Sequence, residues 1–404
     1  MIRRATEAQS RRAHSYGVSG FSRTVVCLCV ALACLSEPAA AQINGHASVL
    51  FDVLPAVVDA PQGGSVVELR TRLFVEHRRD VGSHLRLNLS GHVDGLLADR
   101  EATGGSGSSS DTVLRPLNFY AEIYGERFDL RIGASRLVWG RLDEFQPTDV
   151  VNPIDLTRFL LEGRSEARLP VGLVRGRAFF GASTLEGVVI PAFRASRFDQ
   201  LEELTSPFNL FPLIPRVEPP VAWRNVQGGT RFTSTVGRLD WGVSAFRGFM
   251  SFPVVGPAFE GNHPRYTMIG ADFETVRGQW GIRGEVATFD AVERRFEGGV
   301  GVDRRAGDYR IASNVLISHE PDDTDVTVVA AADRSFARET RTVRAFAVYN
   351  PSDGTAFVRG IAAVSLREDV WLEGSIGVFA GSSLEPLGLL TRRDFVYTRL
   401  KVFF

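Results

Sequence analysis

The sequence predicts an all-β fold: a transmembrane antiparallel β-barrel of about eighteen strands, with sixteen as the alternative count. Three observations point to it. Apolar and polar residues alternate with period two in segments of about ten residues, repeated along the chain beyond residue 42. Short turns and long loops alternate between these segments. The chain closes on an amphipathic strand that ends at Phe404. Ten residues is long for a globular strand, where ~5–6 is usual, but fits a tilted membrane strand of ~9–11.

Taken in order, the candidate strands lie near 43–51, 66–76, 83–95, 116–125, 128–138, 171–180, 183–191, 223–236, 239–249, 265–276, 279–289, 295–303, 309–318, 326–336, 342–350, 355–366, 370–379 and 394–404. In the second, Val67, Leu69, Thr71, Leu73 and Val75 share a face opposed by Glu68, Arg70, Arg72 and Glu76. In the third, Leu85, Leu87, Leu89 and Val93 oppose His84, Arg86, Asn88, Ser90 and His92. In the fourth, Leu117, Phe119, Ala121 and Ile123 oppose Asn118, Tyr120, Glu122 and Tyr124. Later, Ile269, Ala271 and Phe273 oppose Asp272 and Glu274, and Trp280, Ile282 and Val286 oppose Arg283 and Glu285.

Even-numbered strands lead into short turns, such as 78–82, 125–129 and 277–279. Odd-numbered strands mostly lead into long loops: 52–64, 97–115, 139–169, 192–222, 250–264 and 380–393. This asymmetry is that of outer-membrane barrels, and an even count puts both termini on the short-turn, periplasmic side. In the last strand Val396, Leu400, Val402 and Phe404 share a face, and the terminal Phe404 reads as the assembly signal for a barrel-assembly machinery. The competing architecture, a periplasmic all-β domain, would have to bury eighteen half-apolar strands and leaves the loop parity unexplained.

Residues 1–41 read as a cleaved signal peptide, leaving 42–404 as a single barrel domain. Arg3, Arg4, Arg11, Arg12 and Arg23 precede a short apolar core at 25–35, and Ala39, Ala40 and Ala41 form the cleavage site. Cys34 would serve a lipoprotein signal, but Ala31 stands where such sites want leucine. All three cysteines, Cys27, Cys29 and Cys34, fall within this segment, so the mature chain has no disulfide. Without residues 1–41, 41 basic residues face 45 acidic ones, a net charge of −4, and no nucleic-acid partner is expected.

The polar faces carry mixed charge. Glu68, Arg70, Arg72, Arg86, Glu122, Arg131, Asp272, Glu274, Arg283 and Glu285 are expected to line the lumen. Lumenal salt bridges would occupy many of them. Alternatively, a cluster of Arg70, Arg72, Arg86 and Arg131 would favour anions. Eighteen strands enclose room for an aqueous channel.

The loop 139–169 is the most unusual segment. Trp139-Gly140 ends a strand, and Asn152-Pro153-Ile154-Asp155 follows about a dozen residues later. This W-G/N-P-x-D pattern resembles a family of Gram-negative outer-membrane proteins, as do residues 185–193, 225–252 and 269–287, together about half of the mature chain. The resemblance implies a porin-like barrel, with uptake of poorly soluble or aromatic compounds expected of some relatives, and it brings no catalytic residues. Two readings of the loop stand side by side. In one it caps the barrel, with Trp139 in the aromatic girdle and Asp155 capping a helix over 156–161. In the other it folds inward as a constriction marked by Trp139, Gly140, Asn152, Pro153 and Asp155.

The proline-rich loop 192–222, with Phe208, Leu210, Phe211, Leu213 and Ile214, reads either as packed over its neighbours or as a hydrophobic plug. Catalysis finds no support: Ser313, Asn314 and His319 are close in sequence, but Ser313 and Asn314 fall on opposite faces. No metal or cofactor is expected, since His84 and His92 lie too far apart along one strand to chelate together. The expected function is a porin-like channel for passive uptake of a small-molecule solute, embedded among outer-membrane lipids. The alternatives are a transporter of hydrophobic compounds or lipids with a plugged lumen, and a structural or adhesive barrel. A homo-oligomer is compatible with this, though no interface is legible.

Overall fold

The computed structural model describes residues 42–57, 64–102, 105–156, 161–197, 215–256, 259–381, 387–391 and 393–404. The segment read as a signal peptide and the apolar stretch 208–214 lie outside the described residues. The strands are β1 (Gln42–Val57), β2 (Gly64–Val81), β3 (Leu85–Ala102), β4 (Gly105–Tyr124), β5 (Phe128–Ser135), β6 (Val171–Phe180), β7 (Ser183–Ile190), β8 (Arg216–Val217), β9 (Gln227–Val236), β10 (Leu239–Phe249), β11 (Val254–Val255), β12 (Gly261–Asn262), β13 (Arg265–Arg277), β14 (Trp280–Asp290), β15 (Arg294–Ala306), β16 (Tyr309–Glu320), β17 (Asp323–Phe336), β18 (Arg341–Asn350), β19 (Thr355–Arg367), β20 (Val370–Ala380) and β21 (Phe395–Phe403).

A strand with one apolar and one polar face leaves both edges unpaired, and in an apolar solvent each unpaired N–H or C=O is costly. Closure removes the edges. Eighteen strands form one sheet, each antiparallel to its sequence neighbour in the sheet, and β21 pairs with β1 from His46↔Phe403 to Val53↔Val396. The remaining three, β8, β11 and β12, make a small sheet among the loops. Eighteen, not sixteen, is the observed count, and all eighteen expected strands are present.

Side chains follow the predicted alternation. Val49, Phe51, Leu73, Val93, Ile269, Val286, Ile311 and Val396 are exposed on the outer face. Glu68, Asn88, His92, Asp94, Glu122, Asp272 and Glu285, from the opposite register, are buried inside. Leu117 departs from the expectation. Gly91 pairs with Pro116 and Ser90 with Asn118, so Leu117 is the extra residue of a β-bulge and is buried rather than outward with Phe119.

Two boundaries also differ. The Gly/Ser-rich segment expected within a loop at 97–115 continues the strands, which pair from Leu97↔Ser110 to Ala102↔Gly105. Backbone pairing with β3 overrides the weak strand propensity of glycine and serine there. By contrast β5 stops at Ser135, short of the predicted 138, because the chain turns away from the barrel wall. The first and last described strands both meet the short-turn side, Gln42 pairing with Arg78 beside the β2–β3 turn and Phe403 donating to the Asp369 carbonyl in the β19–β20 turn. Glycines at positive φ, such as Gly237 and Gly278, close the tightest turns on that side.

Candidate functional site: the loop folded into the lumen

The segment 136–170 runs between β5 and β6, and its anchors are lumen-facing side chains of strands all round the barrel. Its neck is built first. Where β5 and β6 part, the Asn152 amide takes the place of the missing strand partner. It accepts from the Leu137 N–H at 2.7 Å and donates to the carbonyls of Ser135 and Leu169 at 3.2 and 2.8 Å. Asp149 accepts from the Trp139 N–H at 3.2 Å and pairs with Arg168 at 2.7 Å. Pro153 passes its carbonyl to the Leu169 N–H at 2.8 Å. Asn152, Asp149 and Arg168 are all buried, which suits polar groups that are fully hydrogen-bonded.

Beyond the neck, a single carboxylate holds the chain. Glu285 of β14, 2% exposed, accepts from the backbone N–H groups of Arg141, Leu142 and Thr148 and from the Thr148 hydroxyl, at 2.6 Å for Leu142 and 2.9 Å for the hydroxyl. Gly140 makes this clasp possible. Its φ is +95°, and a Cβ there would lie 2.7 Å from a Glu285 carboxylate oxygen. The Thr148 methyl sits against Gly270, where a Cβ would approach it to 2.7 Å. Leu142, 1% exposed, fills the dent left by Gly299 and Gly301, whose Cβ atoms would come within 2.8 and 3.0 Å of its methyls.

Charge pairs extend the docking. Arg141 reaches Asp272 at 2.6 Å and Glu274 at 3.3 Å, and Asp272 also takes Arg231 at 2.8 Å. Arg283 pairs with Asp143 at 2.8 Å and with Asp303. On the far wall, Glu162 pairs with Arg72 at 2.8 Å, while Arg359 donates to the Leu161 carbonyl at 3.1 Å. Burial opposes ionisation of Glu162, but Arg72 beside it prevails and holds its carboxyl below the usual glutamate range. The loop therefore bridges β2 and β19 on one side and β13 to β15 on the other.

Two apolar clusters accompany it inside the barrel. One joins Leu161 and Leu390 to Leu50, Leu54, Val66, Phe357 and Phe395. The other joins Trp139 and Val151 to Ile190, Phe246, Tyr266, Met268 and Phe289. Trp139 is 1% exposed and donates its indole N–H to Glu186 at 2.6 Å, so it belongs to the interior and not to an aromatic girdle. Asp155 faces Arg115 at 3.7 Å and Arg197 at 3.5 Å, with its N–H given to the Ala167 carbonyl. Residues 157–160 of the expected helix lie outside the described residues.

The ten residues expected to line the lumen all face inward, but they do not form free rings of charge. Arg70 pairs with Glu68 and Arg72 with Asp94, both at 2.7 Å. Arg86 pairs with Asp80 at 2.7 Å near the short-turn rim. Arg131 pairs with Glu122 at 2.9 Å and stacks on Tyr120, its guanidinium 4.0 Å from the ring centre. The four arginines read as an anion-favouring cluster are thus neutralised in place. Three of these pairs, Arg72–Asp94, Arg86–Asp80 and Arg131–Glu122, join facing positions of neighbouring strands, a relation that alternation along one strand does not display. Arg141, Thr148, Glu162, Arg168 and Arg359 escaped the sequence reading. Nothing in their local pattern marks them, since each acts through a partner 19 or more positions away.

The inward loop divides the interior space. On the long-loop side lies a cavity of ≈ 750 Å³, walled by Phe145, Phe249, Tyr266 and Phe289 and by charged residues of β15 to β17. On the short-turn side lies one of ≈ 200 Å³, lined by Arg70, Arg72, Arg399 and Lys401 with Asp94, Glu162 and Glu166. Phe404 stands at the barrel seam. Its N–H and carbonyl bond Gly45 at 3.0 and 2.9 Å, and its ring covers Gly45, where a Cβ would lie 2.6 Å away.

No protein-family model and no curated protein matches this sequence. Solved structures do. Pseudomonas aeruginosa OccK7 (OpdD) aligns over 91% of this chain and 98% of its own, with a TM-score of 0.52 and 9% identity. Acinetobacter baumannii OccAB3 aligns over 90% of this chain and 99% of its own, with a TM-score of 0.53 and 7% identity. At such identity these likenesses show a shared barrel fold.

Proposed function

We propose that this barrel is a porin-like channel of the Gram-negative outer membrane, passing small solutes by diffusion through a lumen constricted by the segment 136–170. The observation that carries the reading is the loop itself, docked on opposite interior walls of a closed eighteen-stranded barrel whose outer face is apolar. A loop held across a lumen sets the width and charge of any path through it. On this reading residues 1–41 are a cleaved secretion signal, the termini and short turns are periplasmic, and the terminal Phe404 addresses the barrel-assembly machinery.

A second reading is favoured by the two apolar clusters inside the barrel: a plugged transporter for hydrophobic compounds, in which the loop must move before anything passes. The two are separated by single-channel recording of refolded 42–404 in a planar bilayer. Stable ohmic openings of the native chain support the open constriction. A folded, heat-modifiable barrel that conducts only after the loop is released from Glu285 overturns it in favour of the plug.

A further inference from the structure

We propose that the cavity on the long-loop side is a binding subsite for organic cations, an ammonium or guanidinium group carried on an apolar body. This rests on the channel reading and specifies its solute class. At ≈ 750 Å³ the cavity is of a size that takes a small organic molecule, and its walls present the rings of Phe145, Phe249, Tyr266 and Phe289. Its charge is one-sided: five carboxylates line it against one guanidinium, Arg295.

Partners inside the protein do not cancel that excess. Arg168 neutralises Asp149 at 2.7 Å. Arg295 is shared between Glu297 at 2.9 Å and Glu320 at 3.9 Å. Asp325 accepts from the Asn350 amide at 2.7 Å and the Thr327 hydroxyl at 3.4 Å, and among the described residues neither it nor Glu293 faces a cation. The protein's own side chains already show the favoured arrangement. Arg295 lies 4.6 Å over the ring of Phe289 with the Glu297 carboxylate beside it. An aromatic face and a carboxylate together attract a cation whose body is apolar, whereas an anion of the same shape meets repulsion and a neutral molecule gains only apolar contact. In the smaller cavity across the loop the arginines are already paired, Arg70 with Glu68, Arg72 with Asp94 and Arg399 with Glu373.

The test uses the refolded barrel in non-ionic detergent and three probes of similar body: benzyltrimethylammonium, benzyl alcohol and benzoate. Calorimetry is expected to show the cation binding about tenfold more tightly than the other two, an effect that weakens with salt. The Glu293→Gln, Glu320→Gln, Asp325→Asn triple variant, checked for heat-modifiable folding, should reduce cation binding to the level of benzyl alcohol. In bilayers the cation added on the long-loop side should interrupt the current, and the triple variant should conduct without interruption. Equal binding of benzoate, or unchanged cation binding by a folded triple variant, overturns the subsite. Selective binding in a barrel that never conducts overturns the channel reading and leaves the subsite standing.

Discussion

Replacing Glu285 by alanine removes one side chain and four hydrogen bonds at once. The three backbone donors, of Arg141, Leu142 and Thr148, then face the cavity left by the carboxylate, with the Thr148 hydroxyl beside them. A buried hydrogen bond contributes ~1 kcal/mol net, so about 3–4 kcal/mol of docking energy is lost, a shift of roughly a hundred- to a thousandfold toward the undocked loop. The barrel itself should survive, because its ladder and the Asn152 neck are untouched. The assay is thiol labelling of a Leu142→Cys variant, whose side chain is 1% exposed when docked, combined with single-channel recording. Adding Glu285→Ala should speed labelling by about two orders of magnitude and raise current noise or conductance. Unchanged labelling and superimposable currents in a folded barrel would refute the claim that this carboxylate holds the constriction. Glu285→Gln should fall between, since an amide oxygen still accepts but carries no charge.

Three further outcomes follow from the same contacts. Asn152→Leu deprives the fork between β5 and β6 of three hydrogen bonds and should lower thermal stability by about 3 kcal/mol, read from the loss of heat-modifiable migration at lower temperature. Gly301→Val should expel Leu142 from its dent and also crowd the Asn314 amide, giving a folded barrel with an altered conductance, while Val300→Ile on the outward face should be silent. Because the carboxyl of Glu162 is held below its ordinary value, its pairing with Arg72 persists above the usual glutamate range and is lost as pH falls through the lowered value; conductance should therefore be steady at neutral pH and change only in acid, and Glu162→Gln should remove that acid transition.

Much of the barrel was legible because a barrel's rules are local. Alternation decides which side chains face outward from the barrel, and loop parity decides how strands are connected, so Val67 to Glu76 already names its inner and outer faces. The lapses were also local in origin. A bulge at Leu117 shifts the facing of one residue, and serine and glycine between Gly105 and Ser110 lack the propensity that would announce a strand. At the W-G and N-P-x-D positions the structure shows what two of the residues do: Gly140 leaves room for the Glu285 carboxylate, and Asn152 completes two parted strands.

The sequence by itself determined the strand count to within two, the facing of nearly every strand residue, and the segment that departs from the wall. Each is a matter of period and spacing along one chain. The tertiary structure alone decided where the loop goes and which charges remain uncompensated. Glu285 lies more than a hundred positions from the amides it binds, and Arg72 lies 90 from Glu162. Such pairings depend on the circumference of the closed sheet and the register of strands across it. Closure brings residues of distant strands to face one another across the lumen, and no one-dimensional pattern records that distance.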